Sequence, residues 1–335
     1  MIAPIARRLL WAVFIVWAVS SLAFVINNVV PGDSALMIAG PQARPADVAR
    51  VRRDLGLDRP LVVQYGAFMR RLVHLGAWTF DPKTNKAHEN CAAIVPGVHL
   101  DFGRSYARSQ PVVTVLAERI PRTAVLALAA IVIQLALGVS AGVLAARRRN
   151  TVVDRAAVAA SLLGISAPTF LIALALQLVF SHQLHWRPLP GYGQTFRDHA
   201  LGLVLPALTL GIFGAAYYTR LVRDEMIGLM QQDYVRTARA KGLSESSVVL
   251  RHALRNALVP LVTVVGLDVG ALIGGAIVTE QIFRWPGLGE LSVSALQNRD
   301  GPVIIGTVIV TSTAIVLASL AVDLLYVALD PRVRV

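Results

Sequence analysis

Six long apolar segments, Leu9–Val30, Thr123–Ala146, Ala156–Ser181, Ala200–Thr219, Ala257–Thr279 and Val303–Leu329, punctuate this chain. About 20 helical residues, each rising about 1.5 Å, cross a hydrocarbon core of about 30 Å. Every one of the six reaches that length. The first four carry no charge, and the last two carry one acid each, Asp268 and Asp323. Backbone groups find no water partner in lipid, so these segments should be helices rather than open strands. Pro168 and Pro206 lie inside the third and fourth, where kinks are expected without loss of the span.

Composition supports lipid as the main solvent. Apolar residues make up 55% of the chain, charged residues 16%, and mean hydropathy is +0.60. A soluble fold carries about 25% charged residues, and disordered chains carry more. Cys91 is the only cysteine, which excludes a disulfide scaffold. The first segment follows Arg7 and Arg8, as a signal peptide would. Its run of about 20 uncharged residues nevertheless exceeds the usual 7–15 of a signal core, so it reads as a retained span.

The net charge of +12 is almost entirely arginine; Lys83, Lys86 and Lys241 are the only lysines. In a soluble protein this excess would suggest nucleic acid. In a membrane protein it marks cytoplasmic loops. Arg147, Arg148, Arg149 and Arg155 separate spans two and three, and Arg220, Arg223, Arg236, Arg239, Lys241, Arg251 and Arg255 separate spans four and five. The opposite short loops hold only Arg187, Arg197, Arg284 and Arg299. Both termini and both basic loops are therefore expected in the cytoplasm.

Three regions follow: 1–30 with the first helix, an extracytoplasmic region 31–122, and a five-helix region 123–335 containing the cytoplasmic loop 220–256. Within the outer region, Leu61, Tyr65, Phe68, Met69, Leu72 and Val73 recur at helical spacing. Asp47 through Leu55, ending at Gly56, reads as a shorter helix. Residues 75–98 read as a loop.

Phosphate-loop, zincin and serine-nucleophile motifs are all missing. A chain with a basic cytoplasmic loop but no nucleotide motif must draw energy from elsewhere. His182 and His185, three apart with His199 downstream, are a weak metal signal, and polar loop residues are the default reading, since zinc normally needs three or four converging ligands. Asp268 weighs more, because an acid at the bilayer centre costs about 2.5–3.5 kcal/mol. It sits among Gly266, Gly270 and Gly274, whose spacing permits close helix approach. A translocation-path or subunit-interface role and a purely structural hydrogen bond both fit. Asp323 lies nearer the cytoplasmic end, where interfacial pairing is expected.

The loop between spans four and five contains Arg236, Thr237, Ala238, Arg239, Ala240, Lys241 and Gly242. Asp233 can cap a short helix, and Gly242 followed by Leu243 suits a left-handed stop. Ser244 can cap a second helix with Leu250, Leu254 and Leu258 on one stripe. A helix-turn-helix also binds DNA, but only with a small domain's core around it. Wedged between two spans, this one is not expected to meet nucleic acid.

These residues resemble the coupling loop of ABC-transporter permeases in its peptide-transporter version. The likeness continues through Pro31-Gly32-Asp33, Leu55-Gly56-Leu57-Asp58-Arg59-Pro60, Asp101-Phe102-Gly103-Arg104-Ser105, Arg251 to Pro260, Trp285-Pro286-Gly287-Leu288-Gly289, Asp323-Leu324-Leu325-Tyr326 and Asp330-Pro331-Arg332. Nearly the whole chain is covered. It departs from the generic loop in having Arg236-Thr237-Ala238 where Glu-Ala-Ala would stand, and residues 75–98 are longer than usual. The resemblance implies an all-α integral membrane protein with the type I ABC importer permease fold, a pore-forming transport subunit rather than an enzyme. It further implies a second permease subunit, two cytoplasmic ATPases carrying ATP and magnesium, an extracytoplasmic binding protein and a plasma-membrane location. Peptides are the expected cargo; related permeases also serve nickel or sugars. A stand-alone secondary transporter or channel is the alternative, and it would not need the cytoplasmic helix-turn-helix.

The topology is testable by cysteine labelling from outside intact cells. Cys91 is expected to react if exposed, whereas a cysteine placed at Ser246 should be protected; labelling at 246 would overturn the orientation.

Overall fold

A computed structural model of the chain describes residues 2–29, 34–40, 42–54, 56–75, 90–95, 98–185 and 191–329. Among the described residues, four helices are long and apolar enough to cross a membrane: Arg7–Asn28 within α1 (Ile2–Val29), α5 (Val112–Arg147), α8 (Phe196–Leu229) and Gly301–Val322 within α14 (Gly301–Leu329). Two bent helix pairs raise the number to six if each is one span. At 36 and 34 residues, α5 and α8 reach about 50 Å, more than the hydrocarbon core of about 30 Å. Surfaces such as Leu10, Val13, Leu128 and Leu163 are exposed, as lipid-facing side chains should be.

The third apolar segment is more than kinked. It breaks between α6 (Val152–Ser166) and α7 (Thr169–Leu176) with a bend of 104°. Pro168 starts α7, where its missing N–H is harmless, and Ala167 before it is extended, as a residue preceding proline prefers. Pro206, by contrast, leaves α8 continuous.

The chain divides into two compact units. The first comprises residues 1–121 and 291–313. Its short helices are α2 (Ser34–Ala39), α3 (Pro45–Asp54) and α4 (Leu61–Leu72). Helix α3 stops as expected: Gly56 has φ +67°, and the Leu57 N–H reaches the Arg52 carbonyl at 2.9 Å. Helix α4 packs on the end of α1, with Phe24 stacked on Phe68 at 5.2 Å and the Ser21 and Tyr65 hydroxyls 2.7 Å apart.

Two expectations need correction here. Val73 does not continue α4; it opens β1 (Val73–Leu75). Nor is 75–98 all loop, because β2 (Cys91–Val95) and β3 (Val98–Asp101) join β1 in an antiparallel sheet of order β1-β3-β2. The remainder of that stretch, 76–89 and 96–97, lies outside the described residues. The strands escaped notice because β3 buries His99 and Asp101 rather than apolar residues, inverting the usual alternation. The Cys91 thiol lies 3.3 Å from His74 Nε2, and burial, aided by the Asp101 charge, pushes it up to about 11. Thiolate is the reactive form, so labelling of Cys91 will be slow at neutral pH.

Asp300 organises the loop before α5. Its carboxylate accepts from the Ser105 hydroxyl, the Tyr106 N–H at 3.1 Å and the Ala107 N–H at 3.2 Å. In the same unit Gly306 leaves room for Val112 and Leu116 of α5.

The second unit, 122–290 with 314–335, is the helical body. Helices α5 and α6 approach α8 closely: a β-carbon at Gly142 would meet Val222 and the Thr219 carbonyl at 2.8 Å, and one at Gly164 would meet Ala216 at 2.7 Å. A core of Tyr218, Val222, Met226, Ala253, Ala257 and Leu261 joins α8 to residues 253–261.

Asp300→Ala should free three donors at once. Hydrogen bonds to charged groups are worth about 1.5–3 kcal/mol each, so a loss of at least about 3 kcal/mol is expected. The check is thermal unfolding of the purified protein, with earlier proteolysis near Ser105–Ser109.

Candidate functional site

The cytoplasmic loop is built on one short helix, α9 (Asp233–Ala240). Asp233 stands in its first turn and Gln232 occupies the cap position, so the expected Asp233 cap is replaced by a favourable charge at the helix start. The stop matches expectation. Gly242 has φ +75°, its N–H bonds the Arg239 carbonyl at 2.9 Å, and the Leu243 N–H points to the Ala238 carbonyl at 3.4 Å. Arg239 then grips Glu245 across the turn with contacts of 3.1 and 2.8 Å.

Ser244 is the N-cap residue of α10 (Glu245–Ser247), though its side chain makes no capping bond. The chain continues through a π-helical stretch, Val248–Ala253, into α11 (Leu254–Gly275). The buried stripe is Val249, Ala253, Ala257 and Leu261, and of the anticipated Leu250, Leu254 and Leu258 only Leu254 packs against it. Leu250 and Leu258 are exposed. Helix α9 has two faces: Val235 and Ala238 pack on Val248, whereas Arg236, Thr237, Ala240 and Lys241 are exposed. Ala238 thus serves the loop's own core, and the outward small residue is Ala240.

Nothing in the sequence pattern marked the pair beside this loop. Arg223 of α8 grips Asp154 of α6 through two contacts, 2.5 and 3.0 Å, and Asp154 also accepts the Asn150 N–H at 2.8 Å. The Asp154 side chain is 3% exposed, so the pair ties the other basic loop to α8 away from water.

Asp268 of α11 accepts the Tyr218 hydroxyl of α8 at 2.6 Å. Gly266 and Gly270 lie on a different face of α11. A β-carbon at Gly266 would collide with Val322, and one at Gly270 would press on Ala318 at 3.3 Å, so this ridge packs on α14 within the chain. Gly274 continues the helix. The side chain of Asp323 is outside the described set.

Glu280 was missed by sequence reasoning, although it lies six residues before Pro286. It belongs to α12 (Ile277–Phe283) and is wholly buried. Its carboxylate accepts the Gly289 N–H at 2.8 Å, the Glu290 N–H at 3.0 Å and the Thr123 hydroxyl at 2.9 Å. It therefore caps α13 (Leu288–Gln297) from a distance, and a β-carbon at Gly287 would strike it. Burial pushes Glu280 above the usual carboxylate range, against the pull of those donors.

Residues 138–335 match the family described as binding-protein-dependent transport system inner membrane component, and residues 1–127 match its N-terminal counterpart. The chain belongs to this family of permeases. A Brucella abortus protein named as a peptide transport system permease is 42% identical over all of this chain and 99% of its own length. The glutathione transport system permease protein GsiC of Escherichia coli is 38% identical over 98% of each chain. A chain of the MetNI methionine ABC transporter, in an inward-facing conformation, superposes with a TM-score of 0.55 at 18% identity, covering 66% of this chain and 99% of that one. The permease is therefore a multi-pass transport subunit with the type I ABC importer fold.

Tyr218→Phe would leave the Asp268 carboxylate without its donor. The expected cost is about 1.5–3 kcal/mol, read as a lowered unfolding midpoint in detergent. Adding Asp268→Asn should cost less than the two single changes combined, because the pair is one interaction.

Proposed function

We propose that this permease is the first of two pore-forming subunits in an ATP-driven importer of di- and oligopeptides. The observation that carries the reading is likeness along the whole chain to permeases named for peptide and glutathione transport. Glutathione is itself a short peptide, so the two names agree on cargo chemistry. On this reading a related permease completes the pore, and substrate alternates between outer and inner access. An extracytoplasmic protein delivers it, and two cytoplasmic ATPases supply the energy from ATP and magnesium bound on themselves. This chain contributes no nucleotide site and no catalytic group of its own. The division into an outer region 31–122 and a permease region 123–335 belongs to the same proposal. So does the placement of both termini and loop 220–256 in the cytoplasm, for which the arginine distribution is the support.

Loop 236–242 is the proposed coupling element. The exposed face of α9 suits helix-in-groove docking, with Ala240 permitting close approach and Arg236 and Lys241 offering charge. Asp268 is proposed to face the translocation path or a subunit interface, and its bond to Tyr218 of another span supports an orientation away from lipid.

The test uses the tagged complex purified from the native host, with uptake of a labelled tripeptide, ATP hydrolysis and ATPase co-purification as readouts. Gly242→Val forces a branched side chain into the left-handed region, at a cost of about 1–2 kcal/mol. That variant and Ala240→Trp should lose uptake and shed or uncouple the ATPases while the spans still insert. Wild-type uptake with full ATPase retention in both would exclude this loop as the coupling element. Co-purification of no ATPase with the wild-type chain would favour a self-sufficient carrier instead.

A further inference from the structure

The first compact unit contains a cavity of about 320 Å³ bounded by α1, α3, α4 and the start of α14. Small-ligand pockets begin at about that size. Its mouth carries Arg53, Arg59 and Arg71 against a single acid, Asp54. All four side chains are exposed, and no arginine–carboxylate pair forms among them. The guanidinium of Arg71 lies across Gly103, where a β-carbon would come within 3.4 Å of it.

The lining combines two chemistries. Phe24, Phe68, Phe102 and Tyr106 are aromatic. Beside them runs an amide ladder: Asn27 donates to Asn28 at 3.2 Å, Asn28 to Gln64 at 3.3 Å, and Gln64 to the Arg59 carbonyl at 2.8 Å. The ladder ties α1 to α4 and to the turn carrying Arg59, so this wall is fixed before any ligand arrives.

Three guanidiniums against one carboxylate leave the rim net positive and attract a carboxylate, which their planar fork matches in two-point contact. Asp54 on the same rim would repel a free phosphate but hold an ammonium. Opposite charges at one mouth above an aromatic wall fit a zwitterion with a side chain. We propose that this cavity is an outer-face subsite for short peptides, the arginines taking the terminal carboxylate and Asp54 the amino group. The proposal rests on the peptide reading above and adds where, on this chain, the substrate's ends are recognised.

The experiment titrates the full-length chain in nanodiscs with the tripeptide Ala-Phe-Ala, its C-terminal amide and inorganic phosphate. The free acid should bind about tenfold tighter than the amide, and Arg53→Gln with Arg71→Gln should bring the two within about twofold. The Lys pair at the same positions should restore part of the preference, which a merely unfolded unit would not. N-acetylation should weaken binding to the wild type but not to Asp54→Asn. Equal binding of acid and amide, a preference that survives the double Gln variant, or displacement of the peptide by equimolar phosphate would each overturn the subsite. So would absence of all peptide binding. Peptide uptake by the complete complex is measured alongside: uptake without the carboxylate preference removes the subsite alone, whereas no peptide uptake removes the peptide reading itself.

Discussion

The hydrocarbon interior offers a peptide group nothing to bond to, and the rest of this architecture follows from that refusal. It makes each apolar segment a helix, and it restricts where the helices can stop. The ends of α5 and α8 illustrate this, since both run well past the length a bilayer needs before the chain reverses. The break at Ala167 and Pro168 is the exception. It is possible because proline opens α7 at a position whose N–H would be orphaned in any case.

Where the chain does reverse, buried acids meet the exposed backbone. Asp300 collects the amides of the turn before α5, Glu280 those at the start of α13, and Asp154 that of Asn150. A carboxylate is suited to this because it accepts only and matches the positive end of a helix. Two of the associated reversals use a left-handed arginine rather than glycine: Arg284 and Arg299 have φ of 48° and 50°. The Trp285 N–H reaches the Glu280 carbonyl at 2.8 Å, and the Asp300 N–H reaches that of Ala295 at 2.8 Å. Each strained residue therefore stands next to an acid-anchored turn. Asp268 differs in kind, because its donor is a phenol from another span rather than backbone.

Local features were legible in the sequence and non-local ones were not. Spans, the α4 periodicity, and the glycine stops at Gly56 and Gly242 follow from residues a few positions apart. Tyr218 and Asp268 are separated by 50 residues, and Arg223 and Asp154 by 69. No periodicity encodes such pairs. The three-strand sheet hid for a related reason, its buried face being His99 and Asp101. Left-handed arginines carry no compositional warning, unlike glycine. The leucine stripe failed differently. Leu250, Leu254 and Leu258 do share one face at i,i+4 spacing, but across the π-helical stretch and into α11 the core covers the neighbouring face, Val249, Ala253, Ala257 and Leu261.

The same π-helical stretch bears on how motion at the loop would travel. Helix α9, the Gly242 turn and α10 are held together as a block by the Arg239–Glu245 contact and by Val235, Ala238 and Val248. That block continues without interruption into α11, and the Tyr234 hydroxyl accepts from Asn256 at 3.0 Å to tie α9 to the helix's first turn. From Leu254 to Asp268 is about 21 Å of helix at about 1.5 Å per residue. A straight rod would carry a push at α9 directly to the Tyr218 contact. The helix instead bends by 50° at Pro260, between the two. On the proposed coupling, displacement at the loop would have to cross that bend to reach Asp268. The carboxylate that lipid makes costly is also the one whose 2.6 Å bond joins α11 to α8, beyond the bend from the loop.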